Sequence, residues 1–319
     1  MTTLVKDEEH ATDAARRVAR GGALAEGGSP MTALVLRLDA DGATEIARAG
    51  SKAARLAALA RAPSEDLERP AGFVVATEAF DRLVGGIPEG ERTAARVASE
   101  ALSEELEAAI DAAMVELGEV PLAVRSSCTA EDLGGASFAG LYETFLGVEG
   151  AGAVKDAVRR CFASAFAERV RAYRGASEAP RMAVLVQRLV RPDVAGVSFS
   201  FDPVEGRRDV ALVSATAGLG EALVSGLANA EEWEVPAAGA AVRRRAQGEL
   251  LDEAAARRIA GLARRLAELE GVPQALEWAL ADDTLYLLQA RPITSPPDAV
   301  RWEAPPGAWV RNFRLGEWI

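Results

Sequence analysis

Four short segments of this 319-residue chain carry side chains suited to holding a polyphosphate. Gly50-Ser51-Lys52 opens a helical apolar pattern, where backbone amides, the positive end of a helix dipole and an ammonium group make an anion site. A glycine turn with a surface lysine is the plainer reading of the same residues. Arg125-Ser126-Ser127 follows an apolar strand pattern, so a guanidinium and two hydroxyls stand at a strand end, where open sheets place ligands. A salt bridge with a capping serine would use the same three residues. In Gly134-Gly135-Ala136-Ser137-Phe138-Ala139-Gly140, small residues let amides approach phosphate closely while Phe138 excludes water; a plain flexible loop is the alternative. Glu277 and Gln289-Ala290-Arg291 lie on the two arms of one hairpin pattern. There a carboxylate, an amide oxygen and a guanidinium can hold a Mg²⁺–phosphate unit, or simply a cross-strand ion pair. Four such segments in one chain point to a nucleotide more strongly than any one of them.

The elements that must position these residues follow from the apolar spacing. Residues 1–33 read as a polar tail, ending in the loop-like Gly27-Gly28-Ser29-Pro30. Strands are expected at Ala33–Leu38, Pro70–Val75, Pro121–Val124 and Glu143–Val148. Helices are expected after Gly50 (Ala53, Leu56, Ala57, Leu59), over Val97–Leu117 as one long element, and over Val154–Tyr173. From Met182 the texture turns to strands at Met182–Leu189, Gly196–Phe201, Asp209–Ser214 and Glu232–Val235. A last helix follows, with Ile259, Leu262, Leu266 and Leu269 inward, and then a hairpin of Ala275–Leu280 and Leu285–Gln289 turning at Asp282-Asp283. The expected fold is α+β in two lobes, 34–180 and 181–295, with 296–319 a linker-like tail.

Composition removes several classes of function. Two cysteines, Cys128 and Cys161, make neither a disulfide framework nor a four-ligand zinc site. The one histidine, His10, lies in the tail, and a formal charge of −12 does not suit a nucleic-acid coat. The polar N-terminus holds no signal-peptide core, and no apolar run reaches the ~18 residues of a membrane span. The expectation is a cytoplasmic protein without nucleic-acid or membrane partners. Lysine is scarce, three against thirty-three arginines, so Lys52 stands out.

The residues also carry a resemblance. Ala123-Val124-Arg125-Ser126-Ser127-Cys128-Thr129-Ala130-Glu131-Asp132, continuing to Ala136-Ser137-Phe138-Ala139-Gly140 and Glu143-Thr144, resembles the signature of one nucleotide-binding domain family. That domain is shared by phosphoenolpyruvate synthase, pyruvate phosphate dikinase and rifampicin phosphotransferase. Gly50-Ser51-Lys52-Ala53-Ala54-Arg55-Leu56 resembles the family's first helix start, and Val186-Gln187-Arg188-Leu189-Val190 its adenine-binding hinge. Ala217-Gly218-Leu219-Gly220-Glu221, Glu277-Trp278-Ala279 and Leu288-Gln289-Ala290-Arg291-Pro292 complete the series in order, so the likeness covers about residues 34–295.

The resemblance implies an ATP-grasp fold with ATP between two lobes. It implies Lys52 and Arg125 on the phosphates, the loop Ser137, Phe138, Ala139, Gly140 folded over the triphosphate, Gln187 and Leu189 at adenine, and Glu221 near the ribose. Glu277 and Gln289 would position Mg²⁺, and Arg291 would neutralise the terminal phosphate; Arg125, Gln289 and Arg291 would carry the catalytic work. Phosphoryl transfer asks mainly for such electrostatic clamping. Two departures stand out: Ala275 occupies a position usually acidic in the family, and Ser51 replaces a glycine. The family's swivelling phosphohistidine domain and acceptor-binding domain have no counterpart in these residues, and Trp309–Trp318 resembles the linker toward them. The expected function is an ATP- and Mg²⁺-dependent phosphotransferase component. It would pass the β-phosphoryl group to a histidine on a separate swivel domain or acceptor-binding protein, releasing AMP and phosphate. The alternatives are a non-catalytic ATP-binding module and an ATP-grasp kinase acting directly on a small molecule.

Overall fold

The computed structural model describes residues 34–60, 67–130, 142–168, 170, 181–220, 230–245 and 249–293. All belong to one compact unit that begins at Leu34. They form an α+β structure with two antiparallel sheets. The first contains β1 (Val35–Arg37), β2 (Gly72–Val75), β3 (Leu122–Cys128), β4 (Thr144–Val148) and β5 (Met182–Arg188), in the order β1-β2-β5-β3-β4. The second contains β6 (Val194–Phe199), β7 (Val210–Ala217), β8 (Glu231–Pro236), β9 (Val242–Arg245), β10 (Gln274–Ala281) and β11 (Thr284–Pro292), in the order β11-β10-β6-β7-β8-β9. The chain changes sheets between Arg188 and Val194, so β5 is the middle strand of the first sheet.

Alternation along each strand divides the sheets into faces. In β3 and β5, Val124, Val184 and Val186 turn to one apolar cluster, packed with α2 (Thr77–Gly85), α4 (Glu104–Leu117) and α5 (Ala151–Ser164). Ala183 and Leu185 turn the other way, onto α1 (Ile46–Ala60), with Val74 and Ala76 of β2. Cross-strand pairing places Arg125 opposite Leu185 and Ser127 opposite Ala183, on this second face. The same apolar cluster continues through Leu56 and Leu59 of α1 to Leu285 and Leu287 of β11. From there it reaches α6 (Glu253–Glu270), which covers Val213, Trp233 and Trp278. The other face of the second sheet carries a smaller apolar group, Val197, Phe199, Leu212 and Ala275 among them, and every candidate residue of the hairpin.

Three expectations are corrected. The long helix over Val97–Leu117 is two, α3 (Ala94–Ser99) and α4, because Ser103 caps the second by accepting from the Leu106 amide at 3.3 Å. Leu269 is 60% exposed, since it lies in the last turn of α6, beyond the buried stripe that ends at Leu266. The elements α2 and β9 were not expected at all.

Candidate functional site

The hairpin of β10 and β11 aims three of the candidate side chains. Its turn residues Asp282 and Asp283 have φ of 47° and 60°, the paired positive values of a two-residue hairpin turn whose twist matches the strands. Regular pairing from that turn would set Glu277 against Leu288 and Gln289 against Leu276, on the core face. Instead the register shifts between Glu277 and Trp278: Trp278 pairs with Leu287, while Glu277 pairs with Gln289 and Ala275 with Arg291. Leu288 is the extra residue of a β-bulge. The bulge changes the strand's parity, so that Leu287 stays in the core and Gln289 and Arg291 join Glu277 and Ala275 on the opposite face.

Arg125 reaches this hairpin from the first sheet. Its Nη2 donates to Glu277 Oε2 at 3.2 Å and its Nη1 to the Leu288 carbonyl at 3.1 Å, so the bulged residue supplies an acceptor as well as the shift. Both ends of the ion pair keep some exposure, 15% for the Arg125 side chain and 24% for that of Glu277. Gln289 and Arg291 are nearly buried, and with its amide oxygen turned to the guanidinium, Gln289 accepts from Arg291 Nε and from Nη2 at 2.9 Å. Two cations and two oxygen donors therefore meet as two internally matched pairs.

Lys52 stands on a different support. Gly50 breaks α1 with φ 70° and ψ 170°, and Lys52 follows in the first turn of the helix that resumes there. A Cβ at Gly50 would lie 1.9 Å from the Ser127 carbonyl oxygen, so only glycine fits that approach. The Ser127 hydroxyl accepts from the Ala53 amide at 3.0 Å. The capping-serine reading of this segment thus holds for Ser127, and the salt-bridge reading for Arg125. Neighbouring Ser126 donates through Oγ to the Glu143 carbonyl at 2.9 Å. Cys161 lies against the same carbonyl; burial pushes its thiol up to about 12, against opposing pulls from Ser126 and Lys52, so it is a packed thiol and no nucleophile. Cys128 is fully buried and in contact with the Tyr142 hydroxyl at 3.4 Å.

The expected adenine residues are placed but engaged within the protein. Gln187, 3% exposed, donates its amide to the Pro70 carbonyl at 3.2 Å, and the Leu189 amide donates to the Pro121 carbonyl at 2.9 Å. Gln187 is on the same face of the first sheet as Arg125, two residues along in the pairing with β3. Ser137, Phe138, Ala139, Gly140 and Glu221 lie outside the described residues. The Leu288 carbonyl was not foreseen as a participant, and no residue-type signal marks it; its role follows from the bulge alone. Among the described residues no helix is long and apolar enough to cross a membrane.

The donors fit Mg²⁺ in kind: a carboxylate and an amide oxygen are hard ligands, and Mg²⁺ is commonly held by one or two carboxylates together with substrate phosphates. Among the described residues no group of three or more His, Cys, Asp or Glu could hold a metal by itself. A cation at Glu277 and Gln289 would accordingly share its coordination with phosphate oxygens.

Comparison with known proteins adds an independent line. Residues 88–249, just over half of the chain, match the family described as pyruvate phosphate dikinase, AMP/ATP-binding domain. The chain is 37% identical to a rifampicin phosphotransferase of Streptomyces sviceus over 312 residues, taking in 82% of this chain and 36% of that protein. It is 31% identical to a probable phosphoenolpyruvate synthase of Methanothermobacter thermautotrophicus, over 84% of this chain and 47% of the relative. With the prodigiosin synthesizing transferase PigC of Serratia marcescens the identity is 33%, over 88% and 36%. The chain thus spans between about a third and a half of the length of these curated relatives.

Proposed function

The chain belongs to the pyruvate phosphate dikinase AMP/ATP-binding domain family, and from that premise we propose that it binds Mg·ATP between its two sheets as the nucleotide-binding part of a phosphotransferase. The observation that carries this reading is the exchangeable pairing in the hairpin. Arg125 holds Glu277, and Arg291 holds Gln289. Mg²⁺ would take the two oxygen donors while the phosphates take the two guanidiniums, so each internal contact is replaced by one of the same kind. Neither ion alone offers that exchange: the metal alone strands two arginines, and ATP alone strands Glu277. Desolvated charges left without partners cost several kcal/mol, roughly, so the two should bind together. Lys52 adds a third cation, and Gln187 and Leu189 are the adenine contacts of the proposal. The Ser137–Gly140 loop covers the triphosphate, and Glu221 meets the ribose.

The reaction proposed for the assembled system is transfer of the β-phosphoryl group to a histidine on a separate swivel domain or protein. A histidine nitrogen bonds to the β-phosphorus as its bond to the α–β bridging oxygen breaks. AMP leaves with that oxygen, and the γ group departs as phosphate by hydrolysis. The chain's own contribution is to orient the triphosphate and offset its charge with Arg125 and Arg291. One observation favours a second reading, a non-catalytic ATP-binding module: Ala275, opposite Arg291, is buried in the apolar group with Phe199 and Ile293, where the family usually has a carboxylate. The test is to mix the protein with a swivel domain of the family and ATP labelled at the β-phosphate. Acid-labile label on a histidine, with AMP formed in step, supports the transfer. ADP formation with label moving only from the γ position would replace it by direct kinase chemistry, and tight binding without turnover would leave the module.

A further inference from the structure

A break inside a helix leaves carbonyls without partners on one side and amides without partners on the other. In α1 both kinds meet side chains from other elements. The Ala47 carbonyl accepts from Thr77 Oγ1 at 2.7 Å and from Arg181 Nη1 at 3.0 Å. Beyond Gly50, the Ala53 amide donates to Ser127 Oγ at 3.0 Å. Ser127 and Ala53 are both 0% exposed, so water cannot substitute for that bond. The Ser127 carbonyl is also the atom that excludes any side chain at Gly50. A glycine bend of no consequence would need none of these contacts; this kink is held on both sides.

The result of the kink is the placement of Lys52, one residue before Ala53 in the first turn of the resumed helix. Ser127 is also two residues from Arg125 on β3. We infer that Ser127 is a positioning residue for Lys52: by capping the resumed helix from the neighbouring strand, it sets the distance and direction of the Lys52 ammonium relative to Arg125. The inference rests on the reading of Lys52 as a phosphate contact.

A double-mutant cycle in Mg·ATP affinity tests it, measured by calorimetry on the full chain with Ser127→Ala, Lys52→Ala and the double variant. Ser127→Ala should weaken binding about fivefold when Lys52 is present and less than about twofold when it is not, the coupling expected of a cap acting through one side chain. Equal losses in both backgrounds would overturn the inference, since general loosening of the fold does not depend on Lys52. Should Ser127→Ala fail to fold, Ser127→Cys keeps the volume and weakens the acceptor, and the same cycle is run with it. If Lys52→Ala alone leaves ATP affinity unchanged, the functional reading of Lys52 fails first and the inference falls with it.

Discussion

Two arginine clusters share one face of the second sheet and differ in how completely their charges are matched. Around β8, Arg207 donates to Asp202 at 2.7 Å, to Glu234 at 2.9 Å and to Glu205 at 2.9 Å, and Glu234 also accepts from Arg244 at 2.8 Å. Asp202 is wholly buried and takes the Val204 and Glu205 amides as well. Burial works to raise the Glu234 carboxyl, but the hydrogen bonds from Arg244 and Arg207 outweigh it and hold the group below its ordinary range. The bond to Glu234 in turn raises the Arg207 guanidinium. At the hairpin, Arg125 meets Glu277 through a single 3.2 Å contact and takes a bulge carbonyl as its other acceptor. A network with several short contacts per group ties loop 202–207 to the sheet. A pair with one contact each can trade partners. Charge on a sheet face is therefore no guide to function until its saturation is known.

Breaking each cluster should separate the two roles. The largest effect expected is on stability: Arg207→Ala leaves the buried Asp202 carboxylate without its cation and should cost about 3 kcal/mol in denaturant unfolding. Its folded fraction should bind Mg·ATP as the parent does; a parallel loss of affinity would erase the distinction. Next is Arg125→Ala, expected to weaken Mg·ATP binding by about tenfold or more while changing stability by less than about 1 kcal/mol. The reverse pattern, stable binding in a destabilised protein, would make Arg125 a structural tie between the sheets. A gain is expected from Ala275→Asp, which places a hard ligand opposite Arg291. The Mg²⁺ concentration for half-maximal ATP binding should fall by about threefold, and an unchanged titration would make the position structural. The smallest effect concerns acid. Because the folded carboxyl of Glu234 is held below its ordinary 4.5, its contribution is present above that value and is lost as pH falls through the lower folded one. Thermal midpoints should therefore drop more steeply below about pH 4.5 in the parent than in Glu234→Gln. Parallel curves would show that Arg207 and Arg244 do not stabilise the ionised form.

Much of the site was legible as residue types: Lys52, Arg125, Glu277, Gln289 and Arg291 could be picked out, and the hairpin turn at Asp282-Asp283 was visible as well. What brings Glu277 and Gln289 face to face was not. Counting from the turn puts Gln289 in the core, and nothing in Leu287-Leu288-Gln289 announces the extra residue. Bulges arise from how a strand meets its neighbours, here the approach of Arg125 from another sheet, and local pattern does not contain that. The break between α3 and α4 escaped for a related reason: Val97, Leu102, Leu106 and Ile110 all reach the same apolar cluster, so their spacing continues across the gap. The signal that resolves it is Ser103 ahead of the acidic turn Glu104-Glu105. The kink at Gly50 was half visible. A glycine before Ser51-Lys52 suggested a helix start, while the dependence of that start on Ser127, seventy-four residues away, is tertiary.

The central claim is that the hairpin binds metal and phosphate by exchanging partners, and the most direct test is calorimetric titration of ATP into the full chain with and without Mg²⁺, on the parent and on Glu277→Gln. The parent should bind ATP at least about tenfold more tightly with Mg²⁺ than without, because only the pair of ions replaces both internal contacts. Glu277→Gln removes the carboxylate for which metal and Arg125 compete, so its ATP affinity should be nearly independent of Mg²⁺. Equal Mg²⁺ dependence in the two proteins, or ATP binding by the parent that ignores Mg²⁺, would contradict the account.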